Sequence, residues 1–254
     1  MHQLHKGRIS TTLLLAPLIT LLTGCVDNLL YHPQGRAVNN EQNTLLLTTN
    51  AGKTIVTTEP RAGGKAIIYF GGNAEDVSLN LASFRDTFPA HSLYLMHYRG
   101  YGGSDGQPGE EAIYTDAMQL YDHVKLSHDS IVLIGRSLGS GVATRLAAER
   151  DVSRLILVTP FSSIEDVASS LYGEFLVSIL LTDKYLSWRY AQDVKAPAAL
   201  LIAGQDTIIP RESAMKLYDS FSDGVARIYL FETAGHNNIS GSPGYYELLR
   251  ELTQ

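Results

Sequence analysis

This sequence contains very little cysteine, since Cys25 is the only one in its 254 residues. A lone cysteine forms no intrachain disulfide, and metal sites built from several thiolates are excluded for the same reason. A chain of this length needs neither, because it can bury roughly three quarters of the surface that its unfolded form exposes. We therefore expect an ordinary hydrophobic core to hold the fold.

Basic residues are also few, with 20 Lys and Arg against 26 Asp and Glu and a formal net charge of −6. Nucleic acids are bound by clustered Lys and Arg side chains, so this charge balance argues against nucleic acid as a partner. The glycines between Gly100 and Gly106 lack the G-x-x-x-x-G-K-[ST] spacing of a phosphate-binding loop. Nucleotide binding is therefore a weak alternative.

Long apolar runs are missing too, and the most apolar stretch, residues 9–22, is typical of an export signal. It is shorter than the ~20 residues that span a bilayer, follows two basic residues and ends in Leu-Thr-Gly-Cys at Cys25. These are the parts of a secretory signal, and the tetrapeptide resembles the bacterial lipobox, in which the cysteine is lipidated. We expect a lipoprotein signal peptide over 1–24, lipidation of Cys25 and a polar tether over 25–43.

The residue after this cysteine bears on the location of the protein. Val26, rather than Asp, follows Cys25, and by resemblance to enteric lipoproteins this favours delivery to the outer membrane. Several acyl chains hold a protein on a membrane without a spanning helix. The expected location is the bacterial cell envelope, with the protein lipid-anchored at the outer membrane and facing the periplasm.

Short apolar segments alternate with helix-like segments through the rest of the chain. Continuous apolar segments predict buried parallel strands, and they fall at 66–70, 93–96, 131–134, 155–158 and 199–203. Residues 227–230 predict a further strand. Residues 45–48 and 54–57 predict a strand pair around a turn. The alternation predicts an α/β fold over 44–254, with helices on both faces of a mostly parallel sheet.

One connection, over residues 161–190, is too long for a plain link between two strands and predicts a short helical insertion. Its apolar residues at helical spacing either cover the core or form a wall for an acyl chain; they are Leu171, Phe175, Leu176, Ile179 and Leu180.

The segment Gly135-Arg136-Ser137-Leu138-Gly139 fits G-x-S-x-G at the point where a predicted strand ends and a helix begins. A serine on such a tight turn presents its hydroxyl at the sheet edge, and the flanking glycines allow the close packing that the turn requires. This context favours Ser137 as a nucleophile over a residue of a plain turn.

A serine nucleophile needs a base, and the base needs a carboxylate that orients it. After a G-x-S-x-G motif, the acid and then the histidine follow along the chain. Asp206 follows a buried strand and His236 precedes the last helix, so both stand where this order expects them. His97, at a strand end, is the rival base, while Asp166 and Asp183 in the insertion are the rival acids.

Stabilising an oxyanion requires backbone N–H donors. The N–H of Leu138, directly after Ser137 at a helix N-terminus, is the first candidate. The second donor is expected from the glycine-rich loop after an early strand, where we favour the N–H of Asn73. Gly72 is the second choice, and it also lies where backbone can approach substrate closely.

A second glycine-rich loop follows the strand predicted at 93–96. Its Tyr98 and Tyr101 are expected to line the substrate pocket, while Arg99 is expected to brace the loop by hydrogen bonds. We expect no metal site and no organic cofactor.

Taken together, these motifs resemble the single-domain α/β-hydrolase fold serine hydrolases. The similar segments are Gly71-Gly72-Asn73-Ala74, His97 to Ser104, the serine motif, Gly204 to Pro210 and Gly235-His236. The most similar branch contains protein depalmitoylases and broad carboxylesterases, and its usual His and Asp are replaced here by Gly71 and His97. The resemblance implies the α/β-hydrolase fold and hydrolysis of an ester or thioester of a small-molecule or lipid-like acyl substrate, through an acyl-enzyme and without a cofactor.

Two other functions remain open on the sequence. An amidase or peptidase uses the same triad, with an amine as the leaving group. A non-catalytic, membrane-anchored binding lipoprotein could keep the fold without the chemistry, although such a protein has no need of all three triad residues.

Overall fold

The computed structural model describes residues 30–37, 43–49, 52–172 and 181–254, with the backbone alone at 170–172. The predicted signal peptide and Cys25 lie outside the described residues, as do most of the apolar residues singled out in the insertion. Within the described part of the chain, no helix is both long and apolar enough to cross a membrane.

Eight strands form a single sheet. They are β1 (Thr44–Thr49), β2 (Gly52–Glu59), β3 (Lys65–Phe70), β4 (Ser92–Met96), β5 (Ser130–Arg136), β6 (Arg154–Val158), β7 (Ala198–Ala203) and β8 (Ala226–Phe231). The spatial order is β1-β2-β4-β3-β5-β6-β7-β8. β3 to β8 run parallel, while β1 and β2 form an antiparallel hairpin beside β4. The predicted strands and their mostly parallel arrangement are confirmed.

Helices connect the parallel strands. They are α1 (Leu81–Thr87), α2 (Glu110–Lys125), α3 (Leu138–Glu149), α4 (Ile164–Tyr172), α5 (Ser187–Ala191), α6 (Arg211–Asp219) and α7 (Tyr245–Leu252). Short 3-10 turns at Val77–Asn80 and Ile239–Gly241 precede α1 and α7. The helices α4 and α5 belong to the connection between β6 and β7, where the sequence predicts the helical insertion.

The core lies on both faces of the sheet because side chains alternate along each strand. In β3, Ile67 and Tyr69 join a buried cluster that includes residues of α1 and α7. Ile68 and Phe70 join the other cluster, with residues of α2, α3 and α6. Strands covered on both faces must be apolar throughout, which is why β3 and its parallel neighbours have continuous apolar sequences.

The order of the strands reverses between β3 and β5. The chain leaves β3 towards β4 on one side, and it leaves β5 towards β6 on the other. In a parallel sheet, a reversal of this kind opens a crevice at the carboxyl ends of the two strands, where ligands bind. Phe70 pairs with Gly135 in the register, so the loops that begin after these residues lie side by side at the crevice.

Two glycines allow α3 to begin directly against this edge. A Cβ on Gly139 would lie 2.1 Å from the carbonyl oxygen of Phe70, and one on Gly135 would lie 2.4 Å from the carbonyl oxygen of Gly139. Gly139 also donates its N–H to the Gly71 carbonyl at 3.1 Å. Only residues without a side chain fit this contact between strand and helix.

The segment that we call the N-terminal strap, residues 30–37, differs from the predicted tether because it is bound to the domain. The side chain of Tyr31 is buried, and its hydroxyl contacts Asp183 Oδ2 at 2.5 Å and the Tyr185 hydroxyl at 2.9 Å. The carbonyl of Gln34 accepts the Gly102 N–H at 2.8 Å. The packed part of the chain therefore begins before the boundary predicted at residue 44.

Arg99 forms the hydrogen bonds expected of a residue that braces the loop after β4, and its partner lies in α2. Its Nε and Nη2 atoms donate to the two carboxylate oxygens of Asp116 in α2, at 2.8 and 2.7 Å. The Asp116 side chain is fully buried and also accepts the Thr54 hydroxyl of β2 at 3.1 Å. A buried carboxylate requires such partners, and here they connect α2 to the antiparallel hairpin and the loop after β4.

We predict that Gly139→Ala lowers the free energy of unfolding by about 3 kcal/mol, because the new methyl group overlaps the Phe70 carbonyl and overpacking at close contacts costs this much. Gly241→Ala is the control, since a Cβ at that position meets nothing within 4 Å. Equilibrium urea unfolding followed by circular dichroism measures both changes. Equal stabilities of the two variants would contradict the contact.

Candidate active site

Ser137 lies on the turn between β5 and α3. Its φ of +50° and ψ of −117° fall in a region that residues with a side chain rarely adopt. Its N–H donates to the Val158 carbonyl of β6 at 2.9 Å, and its own carbonyl accepts the Ser140 N–H at 2.8 Å. The backbone of the serine is therefore held in a strained conformation from both sides.

The structure brings together three residues that are far apart in the sequence. His236 Nε2 lies 2.9 Å from Ser137 Oγ, and His236 Nδ1 lies 2.8 Å from Asp206 Oδ2. The side chains of His236 and Asp206 are 7% and 6% exposed, so both hydrogen bonds are shielded from water. This is the geometry in which a base contacts a hydroxyl and a carboxylate orients the base.

Asp206 is held as an ionised acceptor. Burial by itself would raise the pKa of its carboxyl group, but hydrogen bonds from His236 and from the N–H groups of Ile209 and Ile208 outweigh this effect and lower the pKa. The two backbone N–H groups donate to Oδ1 at 2.8 and 2.9 Å. An ionised carboxylate only accepts, so Nδ1 of His236 carries the proton and Nε2 is free to accept the serine hydroxyl.

Backbone hydrogen bonds join the loops that carry the acid and the histidine. The N–H of Gly204 donates to the Phe231 carbonyl, and the N–H of Gln205 donates to the Ala234 carbonyl, both at 2.8 Å. Because β7 and β8 are neighbouring parallel strands, both loops leave the same edge of the sheet as Ser137. The distance between Asp206 and His236 is therefore fixed by the strand pairing.

The loop after β3 lies beside the serine. A Cβ on Gly72 would be 3.7 Å from the Ser137 Cβ. The N–H of Gly72 donates to Glu75 Oε2 at 2.7 Å, so it is engaged within the loop and does not serve as the second-choice oxyanion donor. The Leu138 N–H is the first of α3, and the first N–H groups of a helix have no partner within the helix.

The side chain of Asn73 is occupied by structural contacts. Its Oδ1 accepts the His32 N–H at 3.0 Å and the Tyr101 hydroxyl at 2.8 Å, and its Nδ2 donates to the Leu30 carbonyl. The N-terminal strap thus holds the side chain of the residue whose N–H is the preferred second oxyanion donor.

The expectation that Tyr98 and Tyr101 line the substrate pocket is corrected by the structure. Each side chain is only 2% exposed. The Tyr98 hydroxyl donates to the Gly71 carbonyl at 2.8 Å, and the two rings pack edge to face with centroids 5.6 Å apart. These tyrosines lie beneath the loop after β3 and support its backbone, because a large ring with one polar end can fill the core and still satisfy its hydroxyl.

The rival residues are engaged elsewhere. His97 Nε2 is 2.9 Å from the Thr57 hydroxyl, and its ring fills the space where Gly102 lacks a side chain. Asp166 accepts from the Ser162 hydroxyl and the Lys216 ammonium, at 2.6 and 2.7 Å. Asp183 accepts the Tyr31 hydroxyl and the N–H of Glu110.

An ion pair that the sequence patterns did not predict lies next to the serine. Arg136 Nη1 lies 2.8 Å from Glu75 Oε2, and Nη2 lies 3.3 Å from the His236 carbonyl oxygen. Burial by itself would raise the pKa of Glu75, but the charge of Arg136 and hydrogen bonds from Tyr69 and Gly72 lower it. The available signal was an arginine at the end of a buried strand, because a half-buried charge requires a partner.

The described residues contain no group of three or more His, Cys, Asp or Glu side chains arranged to hold a metal ion. The site's polar groups are instead satisfied by one another and by backbone.

Comparison with known proteins agrees with this architecture. The esterase Pf2001 of Pyrococcus furiosus superposes with a TM-score of 0.70 over 87% of this chain and 98% of its own, at 17% sequence identity. The chain has the α/β-hydrolase fold. The fold prediction is therefore confirmed, including the mostly parallel sheet with helices on both faces.

Sequence comparisons find a family model and relatives that match part of this chain. The family described as Hydrolase_4, serine aminopeptidase S33, matches residues 87–187, a segment that contains Ser137 but neither Asp206 nor His236. An uncharacterized protein of Mycobacterium tuberculosis is 31% identical over 69% of this chain and 64% of its own length. Lysophosphatidylserine lipase ABHD12 of Danio rerio is 32% identical over 60% of this chain and 46% of its own. The chain thus spans less than two thirds of the length of either relative.

We predict that His97 makes the folded protein sensitive to mild acid. Burial lowers the pKa of His97 to about 4, from an ordinary value of 6.5, and the nearby Asp76 carboxylate offsets only part of this effect. Between these pH values the unfolded chain binds a proton that the folded protein does not. Stability therefore falls as the pH decreases from about 6.5 to 4, by up to about 3 kcal/mol.

Urea unfolding of the parent protein and of His97→Gln between pH 7 and pH 4 measures this effect. The glutamine amide can keep the hydrogen bond to Thr57 without titrating, so the variant should lose less stability over this range. Parallel curves for the two proteins would contradict the assignment.

Proposed function

We propose that this protein is a serine hydrolase that cleaves carboxylic ester or thioester bonds through an acyl-enzyme. The proposal rests on the chain of hydrogen bonds from Ser137 Oγ through His236 to Asp206, with separations of 2.9 and 2.8 Å. Ser137 also lies at the point where the strand order reverses, and α/β sheets bind ligands at such points, which gives the proposal independent support.

In the proposed reaction, Ser137 Oγ attacks the acyl carbonyl carbon while His236 Nε2 takes the hydroxyl proton. The carbonyl oxygen becomes an oxyanion, which the N–H groups of Leu138 and Asn73 stabilise. His236 then gives its proton to the departing alcohol or thiol as the bond to the leaving group breaks. Asp206 keeps the imidazole in the required tautomer and stabilises its charged form.

Water completes the cycle. With His236 again acting as the base, a water molecule loses a proton to Nε2 and attacks the acyl-enzyme carbonyl. The bond to Ser137 Oγ breaks, the serine recovers its proton from His236, and the carboxylic acid leaves. No metal or organic cofactor takes part in this scheme.

A lipid-like acyl substrate is supported by three exposed apolar side chains in the connections between strands. Leu79, Trp188 and Ile208 are large apolar side chains that are 62%, 41% and 45% exposed. They lie in the connections that follow β3, β6 and β7, and the N–H of Ile208 donates to Asp206 Oδ1 at 2.9 Å. A relative named as a lysophosphatidylserine lipase is consistent with a substrate of this class.

An amidase or peptidase is the second candidate, because the matching family is described as serine aminopeptidase. It would use the same three side chains, with His236 protonating an amine as it leaves. A binding lipoprotein without catalysis is a third possibility, and it would not require Ser137 to react.

We predict that a fluorophosphonate probe labels the parent protein at Ser137 and that Ser137→Ala abolishes both labelling and hydrolysis. Among ester, thioester and peptide amide substrates with short and long acyl chains, the esters and thioesters should be hydrolysed faster than the amides.

Asp206→Asn should lower kcat about 10⁴-fold, because the asparagine amide favours the wrong tautomer of His236.

Mass spectrometry of the labelled peptide and initial rates measure these outcomes. A correctly folded parent protein that resists the probe and all substrates would refute the proposal, and preferential cleavage of amides would select the peptidase.

We also propose that the chain is lipidated at Cys25 and anchored at the bacterial outer membrane, facing the periplasm. The lipobox-like tetrapeptide supports this proposal. Leu30 is only five residues from Cys25, and five extended residues reach at most about 18 Å. Because the Leu30 carbonyl accepts a hydrogen bond from Asn73 beside the active serine, an anchor at Cys25 would keep the site close to the membrane surface.

We predict that Cys25→Ser moves the protein from the membrane fraction to the soluble fraction. Inserting about 20 Gly and Ser residues between Val26 and Asp27 should leave hydrolysis of a water-soluble ester unchanged. Hydrolysis of an ester embedded in vesicles should fall at least about threefold, because a longer linker lowers the local concentration of the site at the membrane. Rates of the lipidated proteins on both substrates measure the effect, and equal losses on both would contradict it.

A further inference from the structure

A single carboxylate connects the loop after β3 to the strand that carries the nucleophile. Glu75 accepts hydrogen bonds from four groups: the Tyr69 hydroxyl at 2.6 Å, the Gly72 N–H at 2.7 Å, Asn80 Nδ2 at 2.7 Å and Arg136 Nη1 at 2.8 Å. Its side chain is only 12% exposed. An ionised carboxylate has about four acceptor positions, so these four hydrogen bonds occupy all the acceptor positions of Glu75.

Arg136 extends this network to the loop of the histidine. It directly precedes Ser137, and its Nη2 lies 3.3 Å from the His236 carbonyl oxygen and 3.5 Å from Asn237 Oδ1. The planar guanidinium can reach two partners in fixed directions at once, which a lysine cannot. The pair therefore contacts the backbone on both sides of the serine, namely Gly72 and His236.

We infer that Glu75 and Arg136 are positioning residues that set the distances between the loop after β3, Ser137 and His236. The inference rests on the proposed serine-hydrolase function. Glu75 accepts a hydrogen bond from the Gly72 N–H, and this bond fixes the turn after β3 that also presents the Asn73 N–H. Arg136 holds the backbone of the histidine through its carbonyl. Neither side chain contacts Ser137 Oγ or the ring nitrogens of His236 in the described contacts, so the pair acts through other residues.

A positioning role differs measurably from a merely stabilising role. Small displacements of catalytic groups cost up to about 100-fold in rate, whereas loss of a structural ion pair lowers stability without a specific effect on the transition state. A trifluoromethyl ketone inhibitor forms a tetrahedral adduct with the serine and requires the oxyanion donors, so its affinity reports their placement. The KM of a substrate does not depend on the oxyanion donors in the way that the affinity of this inhibitor does.

The test uses Glu75→Gln, Arg136→Met and the double variant in the full-length protein. Each single variant leaves a half-buried charge without its partner, while the double variant removes both charges. We expect each single variant to lower kcat about 10- to 100-fold with little change in KM, and to weaken the ketone inhibitor by a similar factor. We expect the double variant to recover most of the thermal stability but not kcat or inhibitor affinity.

Two further variants sharpen the result. Arg136→Lys keeps the charge but loses the contact with the His236 carbonyl, so its kcat should stay below that of the parent protein. Asp122→Asn breaks the surface pair with Arg150, whose closest atoms are 3.0 Å apart, and it should leave kcat unchanged. If a single variant does not fold, the double variant and Arg136→Lys carry the comparison.

Recovery of kcat together with stability in the double variant would overturn the inference, as would a Glu75→Gln protein with kcat within twofold of the parent. These results leave the proposed function intact, because the parent protein remains active and Ser137 remains labelled. A parent protein without hydrolysis or labelling would instead refute the proposed function and this inference with it.

Discussion

The parallel pairing of β3 with β5 is the constraint on which the site depends. Phe70 lies opposite Gly135, and the strand order reverses between these two strands. The glycine loop after one strand and the serine turn after the other are therefore neighbours before any side chain is considered. α3 then approaches so closely that Gly139 has no room for a Cβ beside Phe70. A shift of this register would separate the candidate oxyanion donors from the serine, whatever residues the loops contained.

Much of this arrangement could be predicted from the sequence because it depends on local patterns. Continuous apolar segments located the parallel strands, and the order of serine, aspartate and histidine along the chain selected three residues that the fold brings within hydrogen-bonding distance. The pattern works because neighbouring parallel strands bring their following loops to one edge of the sheet. No comparable pattern described the packing beneath those loops.

What the sequence could not predict involves the partners of polar side chains. Tyr98 and Tyr101 stand in a glycine-rich loop, so an exposed pocket wall was a reasonable expectation. Their rings are instead buried, with hydroxyls bound to the loop after β3 and to Asn73. Arg99 pairs with a residue 17 positions away, and Arg136 with one 61 positions away. Such pairings depend on three-dimensional proximity, which hydrophobic periodicity does not encode.

The backbone of Ser137 has a consequence for the evolution of this protein. Its φ of +50° costs roughly 1–3 kcal/mol for a residue with a side chain, and glycine would adopt the same conformation with little strain. Selection for thermal stability alone would thus favour glycine at position 137, which would also remove the hydroxyl. If the proposed reaction takes place, serine at this turn provides reactivity at a cost in stability that glycine would avoid.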